Sequence, residues 1–306
     1  MTDRRFDGRV AVVTGGARGL GLAYAQLLAS LGASVLINDN GSSVGGSGSD
    51  DGPAEEAARG LRAAGYDAVA CTQSVATPEG GNAIIEAALD HFGKVDVLIH
   101  NAGNNRYGAL ETLSYEDFRA VLDVHLLGAF HVARPAFEHM VRGGYGRVVL
   151  TGSIGGLYSM AGVANYAVSK SGMIGLNNII GIEGAAHGIK SNLILPGAVT
   201  RMAEGLDISK YPPMGPDLVA PVVGWLAHES CSVTGEMYVS IGGRVARAFI
   251  TETKGKYRPA WTIDQVAQDI DAIRNADELW TFHPAEGGFA EHMARSFAFV
   301  RAEAVS

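Results

Sequence analysis

Three residues carry types and spacings that could do chemistry: Ser153, Tyr166 and Lys170. Tyr166 and Lys170 stand four apart in a stretch patterned as a helix, which puts both side chains on one face. A phenol titrates near ~10 and is a poor acid or base at neutral pH. An ammonium one helical turn away stabilises the phenolate and brings it toward the working range. Ser153 precedes Tyr166 by thirteen residues, in a glycine-rich loop behind an apolar run. A hydroxyl there can hydrogen-bond a reacting oxygen as its charge changes.

A second constellation gives the first a context. Thr14-Gly-Gly-Ala-Arg-Gly-Leu-Gly21 joins an apolar run to a helical stretch. Gly15, Gly19 and Gly21 let the backbone turn tightly beside Arg18 and Leu20, and the helix start offers free N–H groups and a positive dipole end to a pyrophosphate. Asp39 ends the next apolar run, 18 positions beyond Gly21, which makes the turn a dinucleotide-binding pattern. Its carboxylate can accept from a ribose diol and repels a 2′-phosphate, which favours NAD. Arg18 pulls the other way, since it could pair with that phosphate, and NADP-dependent reduction stays open. An oxidised nicotinamide beside Tyr166 adds a second positive charge that favours the phenolate.

The elements that must position these groups follow from the hydrophobic pattern. Short β-branched runs at 10–14, 34–39, 68–72, 95–100, 147–151, 191–195 and 237–241 alternate with helical stretches at 19–31, 54–64, 78–92, 115–141, 163–187 and 217–228. The runs are continuously apolar, as in strands buried on both faces. They predict an α/β fold: a doubly wound, seven-stranded parallel sheet of Rossmann type, with ligands at the strand C-terminal edge. Thr77 before Pro78, and Ser114 with Asp117 three residues on, are readable helix starts. The Gly/Ser-rich segment 41–53 reads as a flexible loop. Residues 1–244 are expected to form the dinucleotide-binding catalytic domain. Residues 245–306 abandon the alternation and hold eight of the 23 aromatics. This extension contains a helix from Thr262, capped through Gln265, with Ile263, Val266, Ile270 and Ile273 on one face. It is expected to pack on its own domain or on a neighbouring subunit.

Composition excludes several classes. The chain has 306 residues, is 47% hydrophobic and carries a formal net charge of −8, too apolar for disorder and too acidic to favour a nucleic-acid partner. Cys71 and Cys231 form no paired pattern, and no His/Cys/Asp/Glu cluster has metal-site spacing, so no metal is expected. There is no leader-like segment and no apolar window long enough for a membrane span, so the expected location is cytoplasmic. His100 reads as a strand-end residue rather than a ligand. Arg201, Arg244, Arg247, Lys254, Lys256 and Arg258 read as solvated surface charge in preference to a CoA phosphate site.

Over residues 7–243 the chain resembles the short-chain dehydrogenase/reductase family. The motifs are the 14–21 turn, Asn101-Ala-Gly103, Ser153, Tyr166-Ala-Val-Ser-Lys170, and Pro196-Gly197 with Thr200. The resemblance implies that Tyr166 is the acid/base, that Lys170 holds the nicotinamide ribose and lowers the phenol pKa, and that Ser153 positions the substrate oxygen. It implies that Asn101, Ala102 and Gly103 line the inner ribose, that Pro196, Gly197 and Val199 cover the nicotinamide, and that Ser74 and Val75 flank the adenine. Gln73 stands where the family usually has Asp. A narrower resemblance, to the (3R)-hydroxyacyl-CoA dehydrogenase parts of the type 2 peroxisomal multifunctional enzymes, rests on Asn38-Asp-Asn-Gly41, Val124-His-Leu-Leu-Gly128, Arg201-Met202 and residues 220–230. His125 stands where many family members carry an Asn that holds a water near the Lys. With no hydratase or sterol-carrier segment after residue 306, a stand-alone bacterial form is implied. It would oxidise a fatty or steroid (3R)-hydroxyacyl-CoA with NAD and pair its long helices in a homodimer or homotetramer. A dehydrogenase of a free steroid, sugar or other small alcohol, and a non-enzymatic NAD-sensing or scaffold protein, are the competing readings.

Overall fold

The computed structural model describes residues 4–200, 212–284 and 287–304. The chain forms two compact units, Met1–Arg247 and Ala248–Ser306.

In the first unit, strands β1 (Val10–Thr14), β2 (Ser34–Asn38), β3 (Ala68–Cys71), β4 (Val97–His100), β5 (Gly146–Thr151), β6 (Ile189–Gly197) and β7 (Met237–Ile241) alternate with helices. These are α1 (Gly19–Ser30), α2 (Gly52–Ala63), α3 (Pro78–Phe92), α4 (Tyr115–Leu122), α5 (Gly128–Gly143), α6 (Ala164–Gly184) and α7 (Ala220–Ala227). The sheet order is β3-β2-β1-β4-β5-β6-β7-β8, where β8 is Arg244–Ala248. The seven expected strands all pair in parallel. The eighth is an addition: β7 turns back through Gly242 (φ 54°) and Gly243 (φ 83°), a two-residue hairpin with both central residues left-handed. A link that short makes the last pair antiparallel.

Every residue of β1, β4 and β5 is buried, which is why these strands read as apolar runs; Arg147 of β5 is the charged exception, its guanidinium spent on the carbonyls of Gly146, Gly188, His228 and Glu229. Alternation decides the face. Val13, Ile99 and Val149 join one cluster with Ala25 and Leu28 of α1 and Val223 and Leu226 of α7. Val12, Leu98 and Leu150, also buried, point to the opposite side. Strand order reverses between β1 and β4, so a crevice opens at their C-terminal ends. Both expected caps form: the Gly80 N–H donates to Thr77 Oγ1 at 3.1 Å, and the Asp117 N–H to Ser114 Oγ at 3.0 Å.

Two differences from the sequence pattern bear on the site. The single helix expected over 115–141 is broken by a π-turn, Asp123–Leu127, between α4 and α5. Such an inserted residue rotates everything after it, and His125 sits at its centre. Segment 41–53 is folded rather than free. The Asp50 N–H closes on the Asn40 carbonyl at 2.9 Å, and Gly46 and Ser43 donate to Ser43 and Ser47 carbonyls across the tip.

In the second unit, β9 (Glu252–Thr253) pairs antiparallel with β10 (Leu279–Trp280), beside α8 (Ile263–Ile273) and α9 (Gly288–Glu303). The capping box at Thr262 and Gln265 is complete. Trp280 is buried, edge-on to Phe282 and Phe299, with the Arg295 guanidinium 4.5 Å from its ring centre. The Ile263, Val266 and Ile270 stripe of α8 is exposed.

Candidate active site

The glycine turn is built where packing leaves no room for a side chain. A Cβ on Gly21 would lie 2.0 Å from the Gly15 carbonyl oxygen, and one on Gly15, at φ 60°, 2.8 Å from Ala102 Cα. The turn therefore presses against the 101–103 segment, and Asn101 Nδ2 donates to the Gly15 carbonyl at 3.0 Å. Asp39 is fixed beside it: its Oδ2 accepts from the Ala17 N–H at 3.2 Å and its Oδ1 from the Gly41 N–H at 2.9 Å. Each carboxylate oxygen keeps acceptor capacity for a further donor.

A buried network holds the other wall. Thr14 Oγ1 accepts from the N–H groups of Asn101 and Ala102, at 3.1 and 3.2 Å. Its own proton therefore goes to His100 Nδ1, 3.0 Å away, and His100 Nε2–H donates to the His125 carbonyl at 3.2 Å. Burial lowers the His100 pKa to about 3, so the ring stays neutral. His100 is thus a strand-end residue, and it ties β1, β4 and the π-turn together. Its place at a strand terminus beside the order reversal, level with Thr14 in the β1–β4 register, is the signal that points to it.

Tyr166 and Lys170 rise from the first turns of α6. Asn165 anchors that end: its Oδ1 accepts the Tyr166 N–H at 2.8 Å, while its Nδ2 donates to the carbonyls of Arg106 and Asp117 at 2.9 and 3.2 Å. Lys170 is buried, and its Nζ donates to the Thr151 carbonyl at 2.5 Å and lies 5.6 Å from the Tyr166 ring centre. Burial lowers its pKa from 10.5 to about 7. Burial also dominates the phenol and raises its pKa, while the Ser153 hydroxyl, hydrogen-bonded to it, pulls the other way. Desolvation thus exceeds what the Ser153 hydrogen bond returns; the lowering expected from the sequence joins Lys170 to an oxidised nicotinamide.

His125 is buried, with its ring edge-on to Tyr166 at 5.4 Å between centres. Its Nε2 lies 2.7 Å from the Asn104 carbonyl oxygen and 3.1 Å from the Asn104 N–H, so Asn104 serves either tautomer. Its Nδ1 is buried with no partner among the described residues. Burial, then the charge of Lys170, holds its pKa well below 6.5. It is a neutral imidazole, suited to holding its neighbours rather than carrying charge.

These groups meet in one cavity of about 350 Å³. Of the expected residues, Gly15, Arg18, Gly19, Leu20, Asp39, Ser74, Val75, Asn101, Ala102, Gly103, His125, Tyr166, Lys170 and Pro196 line it. Four do not. Gly21 is packed behind the turn, a Cβ on Gly197 would strike Ile241 at 2.5 Å, the Val199 N–H is spent on the Met214 carbonyl, and the Ser153 hydroxyl, bonded to the phenol, accepts from the Gly155 N–H at 3.0 Å. Gln73 lines the wall, and Ser42, Val44 and Gly46 join from the loop that read as flexible. A cavity that passes from a glycine turn and a fixed ribose-reading carboxylate to a buried Tyr–Lys pair fits a dinucleotide. Four of the six basic residues weighed for a CoA phosphate are paired elsewhere, Arg247 with Glu236, Lys254 with Glu278, and Lys256 and Arg258 with Asp269, while Arg244 is exposed at the start of β8. Arg201 and Met202 lie outside the described residues.

The short chain dehydrogenase family model matches residues 9–208. The chain belongs to the short-chain dehydrogenase family. Members are oxidoreductases that act on CH–OH groups with nicotinamide dinucleotides. The chain is 42% identical over 253 residues to the Drosophila melanogaster peroxisomal multifunctional enzyme type 2, covering 82% of this chain and 42% of that protein. Against the Mus musculus enzyme of the same name it is 38% identical over 295 residues, covering 94% of this chain and 40% of that protein. It therefore spans about two fifths of these relatives. The crystal structure of a short chain dehydrogenase from Mycobacterium avium superposes with a TM-score of 0.77 at 33% identity, over 87% of this chain and 94% of that one. No helix among the described residues is long and apolar enough to cross a membrane.

Proposed function

We propose that this protein uses NAD to interconvert a secondary alcohol and a ketone, and that its substrate is a (3R)-hydroxyacyl-CoA with a fatty or steroid acyl group. Residues 1–244 are the catalytic domain in this reading, and 245–306 an extension of it. The supporting observation is the convergence of the Asp39-bearing glycine turn and the Tyr166–Lys170 pair on one cavity.

The turn's backbone N–H groups and the α1 dipole would hold a pyrophosphate, and the free lone pairs of Asp39 would accept from the adenosine ribose diol. Lys170, with one N–H on Thr151, would offer its remaining donors to the nicotinamide ribose. When bound, the nicotinamide supplies the hydride acceptor for oxidation and the donor for reduction. Tyr166 Oη takes the hydroxyl proton in oxidation and returns it in reduction, and Ser153 hydrogen-bonds the oxygen whose charge changes. Buried, neutral His125 holds the Asn104 backbone and the Tyr166 ring edge, which keeps the phenol aimed. Exposed Phe130 on α5 and Val168 and Ile179 on α6 support pairing of these helices in a homodimer or homotetramer.

The test is reduced-nicotinamide absorbance across (3R)- and (3S)-hydroxyacyl-CoA, steroid-CoA and CoA-free alcohols, with NAD and with NADP. Turnover confined to the (3R)-acyl-CoA arm with NAD is expected. Equal turnover of CoA-free alcohols sinks the acyl-CoA assignment, and dinucleotide binding without turnover of any alcohol sinks the enzymatic one.

A further inference from the structure

The loop between β2 and α2 is part of the cavity wall, yet little of its own sequence can hold it there. It is rich in Gly and Ser, with Gly41, Gly46 and Gly48 at positive φ, and a segment of that composition loses much freedom on ordering. Besides its internal turns, it is held by the 104–106 segment. The Asn105 N–H donates to the Val44 carbonyl at 2.9 Å, and Arg106 Nε donates to the Gly45 carbonyl at 2.9 Å. Gly46 presses on Asn104, where a Cβ would lie 2.4 Å from Nδ2.

Arg106 is well placed to bear this load. Its backbone is pinned by buried Asn165, and its Nη1 is paired with Asp117 at 2.7 Å, so the fork is oriented before it meets the loop. At the other end of the loop, the Gly41 N–H fixes Asp39 Oδ1. Releasing the loop tip therefore removes Val44 and Gly46 from the wall and loosens the carboxylate that reads the ribose.

We propose that Arg106 is a positioning residue for the dinucleotide: its guanidinium ties the 41–50 loop into the cavity wall. This rests on the reading that the cavity holds a dinucleotide. Arg106 need not touch the ligand. It acts through the loop, and its effect must disappear when the loop is absent.

The experiment is a double-variant cycle on NADH affinity, read by fluorescence titration of the wild type, Arg106→Gln, a variant lacking residues 43–47, and the two combined. The expected result is a Kd raised about tenfold in each single variant, the scale of one charge-assisted hydrogen bond. The combined variant should bind no more weakly than the shortened one. Hydrogen exchange of the amides of residues 43–47 should accelerate in Arg106→Gln while those of β1 and β4 stay protected. Should Arg106→Gln fail to fold, Arg106→Lys takes its place in the cycle, since it keeps the charge and loses the fork. Effects that multiply in the combined variant, or an arginine variant that binds like the wild type, overturn the proposal. A wild type that binds no NADH overturns the dinucleotide reading instead, a separate outcome.

Discussion

Replacing Lys170 with Met should make this protein more stable and inactive. The ammonium is buried with a pKa lowered from 10.5 to about 7, and desolvation is its cause. The unfolded chain, with the ordinary lysine pKa, therefore holds one more proton than the folded chain between those values. Wild-type stability rises with pH across that window, by about 1.4 kcal/mol per pH unit. Below pH 7 the full penalty applies, on the order of 5 kcal/mol. By pH 10.5 it is gone. Methionine fills a similar volume without a charge. It leaves the Thr151 carbonyl without the Nζ donor, which costs about 1–3 kcal/mol. The net expectation at pH 7 is a gain of about 2 kcal/mol or more. Denaturant unfolding of both proteins, at one protein concentration and without added dinucleotide, measures it. Between pH 7 and pH 9 the advantage should shrink by about 2 kcal/mol. A Lys170→Met protein less stable than the wild type at pH 7, or an advantage that grows toward pH 9, refutes the reasoning.

Other consequences follow from the same geometry. Gly21→Ala puts a methyl 2.0 Å from a backbone oxygen that cannot yield cheaply; it should cost about 1–3 kcal/mol or more and abolish NADH binding, read by thermal melts and titration. Asp39→Ala, with Arg18 still at the cavity rim, should cut the ratio of NAD to NADP kcat/KM by about tenfold or more, and should destabilise the fold because Ala17 and Gly41 lose their acceptor. An unchanged ratio would remove Asp39 from cofactor choice. Because burial raises the Tyr166 pKa, oxidation, which needs the phenolate, should accelerate as pH rises from 7 to 9, while reduction, which needs the phenol, should not. Oxidation that slows over that range contradicts the assignment.

Much of this molecule is legible in its sequence because its strongest constraints are local. Strands buried on both faces must be largely apolar, and Gly15 and Gly21 stand where backbone meets backbone. The strand β8 escaped that logic: Arg-Val-Ala-Arg-Ala is an exposed edge segment, with no apolar run to betray it, and only the Gly242-Gly243 turn marks it. The π-turn at His125 left no periodic trace either, since one extra residue in a long helical stretch shifts the pattern less than ordinary variation does. The 41–53 segment has the composition of a free linker, and composition reports neither its internal turns nor its hydrogen bonds to Asn105 and Arg106, some sixty residues away. The state of Tyr166 was half readable. Spacing put the ammonium beside the phenol, but the balance between attraction and desolvation depends on burial, which spacing does not report.

In the proposed reaction Tyr166 exchanges the proton of the reacting oxygen. Tyr166→Phe removes that oxygen and little else. Turnover should fall by about a thousandfold, in the usual range for a lost acid–base group, with the NADH Kd within about threefold of the wild type. Turnover close to that of the wild type in this variant would contradict the account.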